Sequence, residues 1–221
     1  MTLKTLLVAA TAAGLLASPA LATVTLQFSS LGAKLSNIQN AAGTATGGLN
    51  WGIVISTTAN GFASSGAAYD GFVLPSPRND SGTFLSAGGS LTDDYFYWGT
   101  TANAANTTTL ASSGGTESGT NVINSIVGVP LTGAITAGDR FAIMWFDTGG
   151  SSSNGAKYGF LDSGFVLPSE GSTTDFSSTY VGTDPTRLAS NTFGGAAPVP
   201  EPSRMMLLGF GLIGLFFRRR R

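Results

Sequence analysis

The apolar residues of this chain come in short bursts, each cut off by Gly, Pro, Asn or Asp. So short a burst cannot supply the recurring apolar stripe of a long helix, but it suits a strand. Only residues 31–38 carry a faint helical spacing, and a short helix is expected there. Thr23-Val24-Thr25-Leu26-Gln27-Phe28 alternates apolar with polar residues and reads as the first strand. Residues 51–57, with Ile53, Val54 and Ile55 unbroken, read as a second. Further strands are expected at 71–74, stopped by Pro75, at 94–98, at 121–129 before Pro130, and at 140–146. Residues 158–161 and 165–167 are expected to form a hairpin around Asp162-Ser163-Gly164. Eight or so short strands joined by turns predict an all-β fold, an antiparallel β-sandwich or jelly roll.

The strand at 140–146 also sets an expectation about layers. Phe141, Ile143 and Trp145 fall on one face and Ala142, Met144 and Phe146 on the other, and both sets are apolar. A simple two-layer sandwich wets the outer face, so Ile143 is expected to matter more than Met144. The alternative is an outer side covered by loops, by the 31–38 helix or by another copy. Residues 41–48, 100–119 and 149–155 read as exposed loops. The hexapeptide from Gly71 to Ser76 recurs from Gly164 to Ser169 and is read as two structurally equivalent strands.

Cysteine and histidine are both absent. That removes thiol catalysis, His-assisted serine hydrolysis, zinc held by His or Cys, and haem ligation by His. Between residues 23 and 197 there are five basic and eleven acidic side chains, so the body is acidic although the whole chain carries only −1. Nucleic acid needs clustered Lys and Arg, so no nucleic-acid partner is expected. No cofactor is expected either.

Both ends read as targeting segments. Lys4, the apolar run 6–16 and the small-x-small site Ala20-Leu21-Ala22 have the order of a signal peptide, residues 1–22, cut after Ala22. An exported domain then spans 23–188 and a flexible linker 189–198. The tail, 199–221, holds Pro200-Glu201-Pro202, an apolar segment at 205–217, and Arg218, Arg219, Arg220 and Arg221. The prolines keep the approach extended. The arginines stay cytoplasmic by the positive-inside rule. As a helix the apolar segment is about 20 Å long, short of the ~30 Å hydrocarbon core, so transient membrane contact is expected rather than a firm anchor.

This tail resembles the PEP-CTERM protein-sorting domain of Gram-negative bacteria. The resemblance implies an exosortase-like enzyme that recognises Pro200, Glu201 and Pro202 and cleaves nearby. It also implies export through the inner membrane to the cell envelope, cell surface or extracellular matrix, and association with exopolysaccharide or biofilm. A non-enzymatic role follows as the expectation, with a carbohydrate-binding module as the alternative.

Three constellations within the body invite chemistry. Asp147-Thr148-Gly149 and Asp162-Ser163-Gly164 resemble the catalytic triplets of pepsin-like aspartic proteases. The family takes one triplet from each lobe, and these are too close in sequence for that, so both read as turns, with no catalytic residue. Asp93 and Asp94, with Asp80, Asn79 or Asn103, offer oxygen ligands for Ca²⁺, but no Asp-x-Asp-x-Asp-Gly loop exists and a solvated turn is expected, with no metal. In Tyr95-Phe96-Tyr97-Trp98 the two tyrosines share a face, and Tyr95 and Tyr97 are the candidate ligand-contacting aromatics.

Overall fold

The computed structural model describes residues 22–30, 33–62, 69–73, 82–98, 109–110, 121–147, 153–176 and 186–194. Among these there is no helix. The strands in chain order are β1 (Thr23–Gln27), β2 (Ser29–Ser30), β3 (Ala33–Lys34), β4 (Ile38–Gln39), β5 (Trp51–Ser56), β6 (Thr83–Ala87) and β7 (Ser90–Tyr97). They continue with β8 (Thr109–Leu110), β9 (Asn121–Val122), β10 (Ser125–Pro130), β11 (Arg140–Phe146), β12 (Lys157–Val166), β13 (Thr173–Asp175), β14 (Arg187–Leu188) and β15 (Asn191–Thr192).

The frame is a six-stranded antiparallel sheet in the order β15-β12-β11-β5-β7-β6. Across from its inner face lies a three-stranded sheet, β10-β1-β13, in which β1 pairs antiparallel with β10 and parallel with β13. The alternation read in the first strand is real. Val24, Leu26 and Phe28 point inward and meet Ile53, Ile55, Tyr97, Phe141, Ile143 and Trp145 in one core. The all-β antiparallel sandwich expected from the strand pattern is therefore the fold. Gly88 and Gly89, both at positive φ, close the two-residue turn between β6 and β7, a conformation other residues adopt only under strain.

The outer face of the large sheet departs from the simple picture. Val54, Ala142, Met144 and Phe146 lie in a second buried cluster with Phe62, Tyr69, Leu85, Phe96, Trp98, Tyr158 and Phe193. β11 is thus dry on both sides, and Met144 is as buried as Ile143. Among the described residues the cover comes from side chains of irregular segments around Phe62, Tyr69, Phe72 and Phe193, and not from a helix. The helix expected at 31–38 is absent over its described residues. Asn37 takes a positive φ, incompatible with helix, and Leu35 and Ile38 reach the inner core from extended backbone.

The expected hairpin at 158–167 is instead one continuous strand, β12. Between the Ile143–Leu161 and Phe141–Phe165 pairs the register shifts, and Asp162, Ser163 and Gly164 bulge out. The Asp162 carboxylate accepts from the Gly164 N–H at 3.0 Å, and Gly164 sits at φ 71°. This is the turn chemistry read in the sequence, absorbed as a bulge that leaves the strand direction unchanged.

Nor are the two hexapeptide copies structurally equivalent. Gly164 to Val166 lie in β12, whereas 71–73 are irregular, and Phe165 enters the inner core while Phe72 packs on the outer one. Residues 189–194 of the expected linker belong to the fold: Ala189 is buried, Asn191 and Thr192 pair with β12, and Phe193 fills the outer core, while 195–198 lie outside the described residues. The folded body therefore runs through Gly194, whose N–H donates to the Tyr69 carbonyl.

Candidate ligand cleft and the sorting tail

The aromatic pair proposed to contact ligand is engaged within the fold. Tyr97 is fully buried in the inner core, and its hydroxyl donates to the Gly128 carbonyl at 3.0 Å. Tyr95 is half-buried, stacks edge-on with Phe84 at 5.0 Å, and accepts from the Gly82 N–H at 2.8 Å. Phe96 and Trp98 are buried on the opposite face, so neither pair offers an open platform. Asp93 and Asp94 are also not a solvated turn, since both lie in β7. Asp94 is fully buried and accepts from the Tyr69 hydroxyl at 2.7 Å, on the other side of the strand from Asp93. They cannot grip one ion together.

The two carboxylates of the protease-like triplets are also kept apart. Asp147 donates its N–H to the Lys157 carbonyl, and its carboxylate accepts from the Ala41 N–H at 2.6 Å. Asp162 lies further along β12, which at ~3.3 Å per residue puts the two roughly 16 Å apart. Sharing a proton requires near contact.

The described surface does hold one site with converging polar groups, and it lies on the outer face of the large sheet. A cleft of about 470 Å³ is lined by Asn60, Gly61, Phe62, Arg140, Phe160, Asp162 and Asn191. Its size falls in the usual range of small-molecule sites, about 300–1,000 Å³. Arg140, the first residue of β11, reaches the bulge in β12 and donates through Nη2 to both oxygens of Asp162, at 3.0 and 2.8 Å. Its guanidinium also lies 5.8 Å from the centre of the Phe62 ring, which meets Phe160 edge-on at 5.5 Å. β15 brings Asn191 to the same opening.

The wall carrying Asn60 is held by Asp93. Thr57 donates to the Asp93 carbonyl through its N–H and hydroxyl, and the Asp93 carboxylate accepts from the Thr58 hydroxyl and, at 3.4 Å, the Asn60 amide. The Ser56 hydroxyl donates to the Gly61 carbonyl at 3.1 Å, and Ala59 between them is pinned at φ 56°, in the left-handed region. Partial burial pushes the Asp93 carboxyl upward, but hydrogen bonds from Thr58, the backbone and Asn60 outweigh it and hold the group below its ordinary 3.8.

A depressed carboxylate stabilises the fold above its unfolded pKa, and that contribution is lost as pH falls through the lower folded value. Asp93→Asn should therefore lower the melting temperature at pH 7, with the gap to the parent closing below pH 3.8. Thermal unfolding across pH 2–7 would read it, and a gap that persists undiminished in acid would show that Asp93 acts without its charge.

Sequence reasoning missed this cleft. Its residues come from four separated segments, and in the sequence Asp162 reads as a turn residue and as part of a protease-like triplet, not as the partner of Arg140. The sorting residues Pro200, Glu201, Pro202, Arg218, Arg219, Arg220 and Arg221, and Ala20 of the signal-peptidase site, lie outside the described residues. Ala22 lies at their edge, where its carbonyl accepts from the Leu131 N–H at 2.8 Å, and β1 starts at the next residue. Among the described residues no helix is long and apolar enough to cross a membrane.

No curated protein and no solved structure matches the chain. Residues 198–221 do match a known family, and they begin four residues beyond the last described residue of the fold, Gly194. The C-terminal tail is a PEP-CTERM protein-sorting motif, the mark of an exported protein targeted to exosortase.

Proposed function

We propose that the folded domain is a non-enzymatic component of the cell surface or extracellular matrix, associated with exopolysaccharide or biofilm. An N-terminal signal peptide cut after Ala22 delivers it, and exosortase processes its tail near Pro200-Glu201-Pro202. The observation that carries this reading is the sorting motif at 198–221 set directly behind a fold that runs to Gly194. Residues 195–199 span at most about 18 Å when fully extended, so a cut at the Pro-Glu-Pro site leaves the domain almost without a stub. Until that cut, residues 205–217 hold the chain in transient contact with the membrane.

Support for a binding role over an enzymatic one comes from the side chains. The candidate acid pair is far apart, and His and Cys are absent from the whole chain. A second reading, a carbohydrate-binding module of β-sandwich type, is favoured by the polar cleft beside Arg140 and Asp162.

Replacing Glu201 by Ala should block processing and leave a longer, membrane-associated species that still carries the four terminal arginines. Mass spectrometry of the C-terminal peptides from host-purified protein would show it, alongside co-fractionation of the parent with extracellular polysaccharide. Identical C-terminal peptides from parent and variant would remove the processing step from the proposal. Recovery of the parent only in the polysaccharide-free fraction would remove the matrix role.

A further inference from the structure

We infer that the cleft between β11, β12, β15 and the Asn60 loop is a binding site for an uncharged sugar ring. This rests on the matrix reading above and gives it a site and a ligand class. Arg140 is matched by Asp162 within the same opening, and no second cation among the described residues lines it, so the described lining carries no net charge to attract a phosphate or a uronate. An anion entering it would meet the Asp162 carboxylate, which only accepts hydrogen bonds.

The polar groups left over are mixed donors and acceptors. Arg140 spends Nη2 on Asp162, and its Nε and Nη1 groups make no hydrogen bond to any described residue. Asp162 takes two bonds from Arg140 and one from the Gly164 N–H, which leaves acceptor capacity, because a carboxylate has about four lone-pair sites. The Asn191 side chain lines the opening and makes no hydrogen bond to a described residue, so its amide presents both a donor and an acceptor.

Hydroxyl groups are the partner that uses such a set fully, since each donates one bond and accepts others. Neighbouring hydroxyls on a ring can bridge a guanidinium and a carboxylate held side by side. The half-buried Phe160 ring supplies the apolar contact for the C–H face of a pyranose, while Phe62 is already covered by Arg140. The site is also pre-ordered. Asp93 fixes the Asn60 loop and the bulge fixes Asp162, so little loop ordering opposes binding.

The test is titration of the host-purified exported protein with maltotriose, cellotriose, mannotriose and trigalacturonate, by calorimetry and saturation-transfer NMR. At least one neutral trisaccharide should bind, and Asn191→Ala and Asp162→Asn should each weaken it about tenfold or more, the loss expected when a hydrogen bond to a charged or buried group goes. Thr173→Ala, on the exposed side of β13, should bind like the parent. Circular dichroism confirms that each variant is folded.

Three results overturn the inference: no neutral trisaccharide bound at about 10 mM, where Kd would exceed the mM class; preference for trigalacturonate; or binding unchanged in both cleft variants. Co-fractionation with matrix despite any of these leaves the matrix role standing without this site. Sugar binding by a protein that never co-fractionates would keep the site and remove the matrix role.

Discussion

Ile143→Ala and Met144→Ser should each destabilise the protein by about 2 to 4 kcal/mol, the range for large-to-small changes in a packed core. The equality is the informative part, because the two side chains point to opposite faces of β11. Ile143 sits among Ile53, Tyr97 and Leu26 in the inner core, and Met144 sits among Phe96, Phe146 and Phe62 in the outer one. Both have zero exposure. The serine hydroxyl adds the cost of a polar group placed among aromatic rings, which offsets whatever adaptability methionine had. Urea unfolding of the exported protein monitored by far-ultraviolet circular dichroism would measure both. A Met144→Ser variant within about 1 kcal/mol of the parent would mean that the outer face is wet, and the second core would have to be abandoned.

That comparison marks where the sequence was legible. Period-two alternation at Thr23–Gln27 and the unbroken apolar runs at Trp51–Ser56 and Arg140–Phe146 are local signals, and each became a strand of the kind expected. Two apolar faces on β11 were visible as well. What covers the outer face was not, because Phe62, Tyr69, Phe72 and Phe193 come from segments without periodicity whose burial is decided by tertiary packing alone. The Asp-Ser-Gly at 162–164 shows the same limit from another side. Its turn chemistry was read correctly, but whether the chain reverses or bulges depends on whether β11 continues to offer hydrogen bonds past Ile143, and it does. The 31–38 spacing misled because Leu35 and Ile38 are both buried, by an extended path bent at Asn37.

The functional residues divide in the same way. The tail is contiguous, and prolines, apolar run and arginines each answer a separate physical demand, so the sorting motif was readable without any fold. The cleft exists only after β12, β11 and β15 are aligned, and its arginine is an unremarkable residue before an apolar strand. Aromatic density drew attention to Tyr95 and Tyr97, where the rings turned out to serve packing and hydrogen bonding within the domain. In a chain this rich in aromatic clusters, density alone points first to core.

A single-site effect of similar size is expected from Gly159→Ala. In an ordinary strand that change gains a few tenths of a kcal/mol or more, because glycine gives up the most chain entropy on folding. Here the sign reverses. Gly159 lies opposite Trp145 across the β11–β12 ladder, and a methyl group on it would stand 1.9 Å from Cε2 and 2.0 Å from Cζ2 of the indole. The indole cannot simply swing aside, because it is 1 % exposed and its N–H donates to the Gln39 carbonyl at 3.1 Å. Overpacking a closed core costs about 1–3 kcal/mol, and losing the indole hydrogen bond adds about 1, so the variant should be roughly 3 kcal/mol less stable than the parent. Trp145→Phe alone should also be destabilising, through its cavity and the loss of one of the two hydrogen bonds to the Gln39 carbonyl, which keeps the one from the Ala189 N–H. In the double variant the smaller ring makes room for the methyl, so the two losses should fall short of adding by more than about 1 kcal/mol, as expected for residues in direct contact. Denaturant titrations of the four proteins complete the cycle. Strict additivity would mean that the clash is relieved by backbone movement, and that Gly159 is not held in place by the indole lying across it.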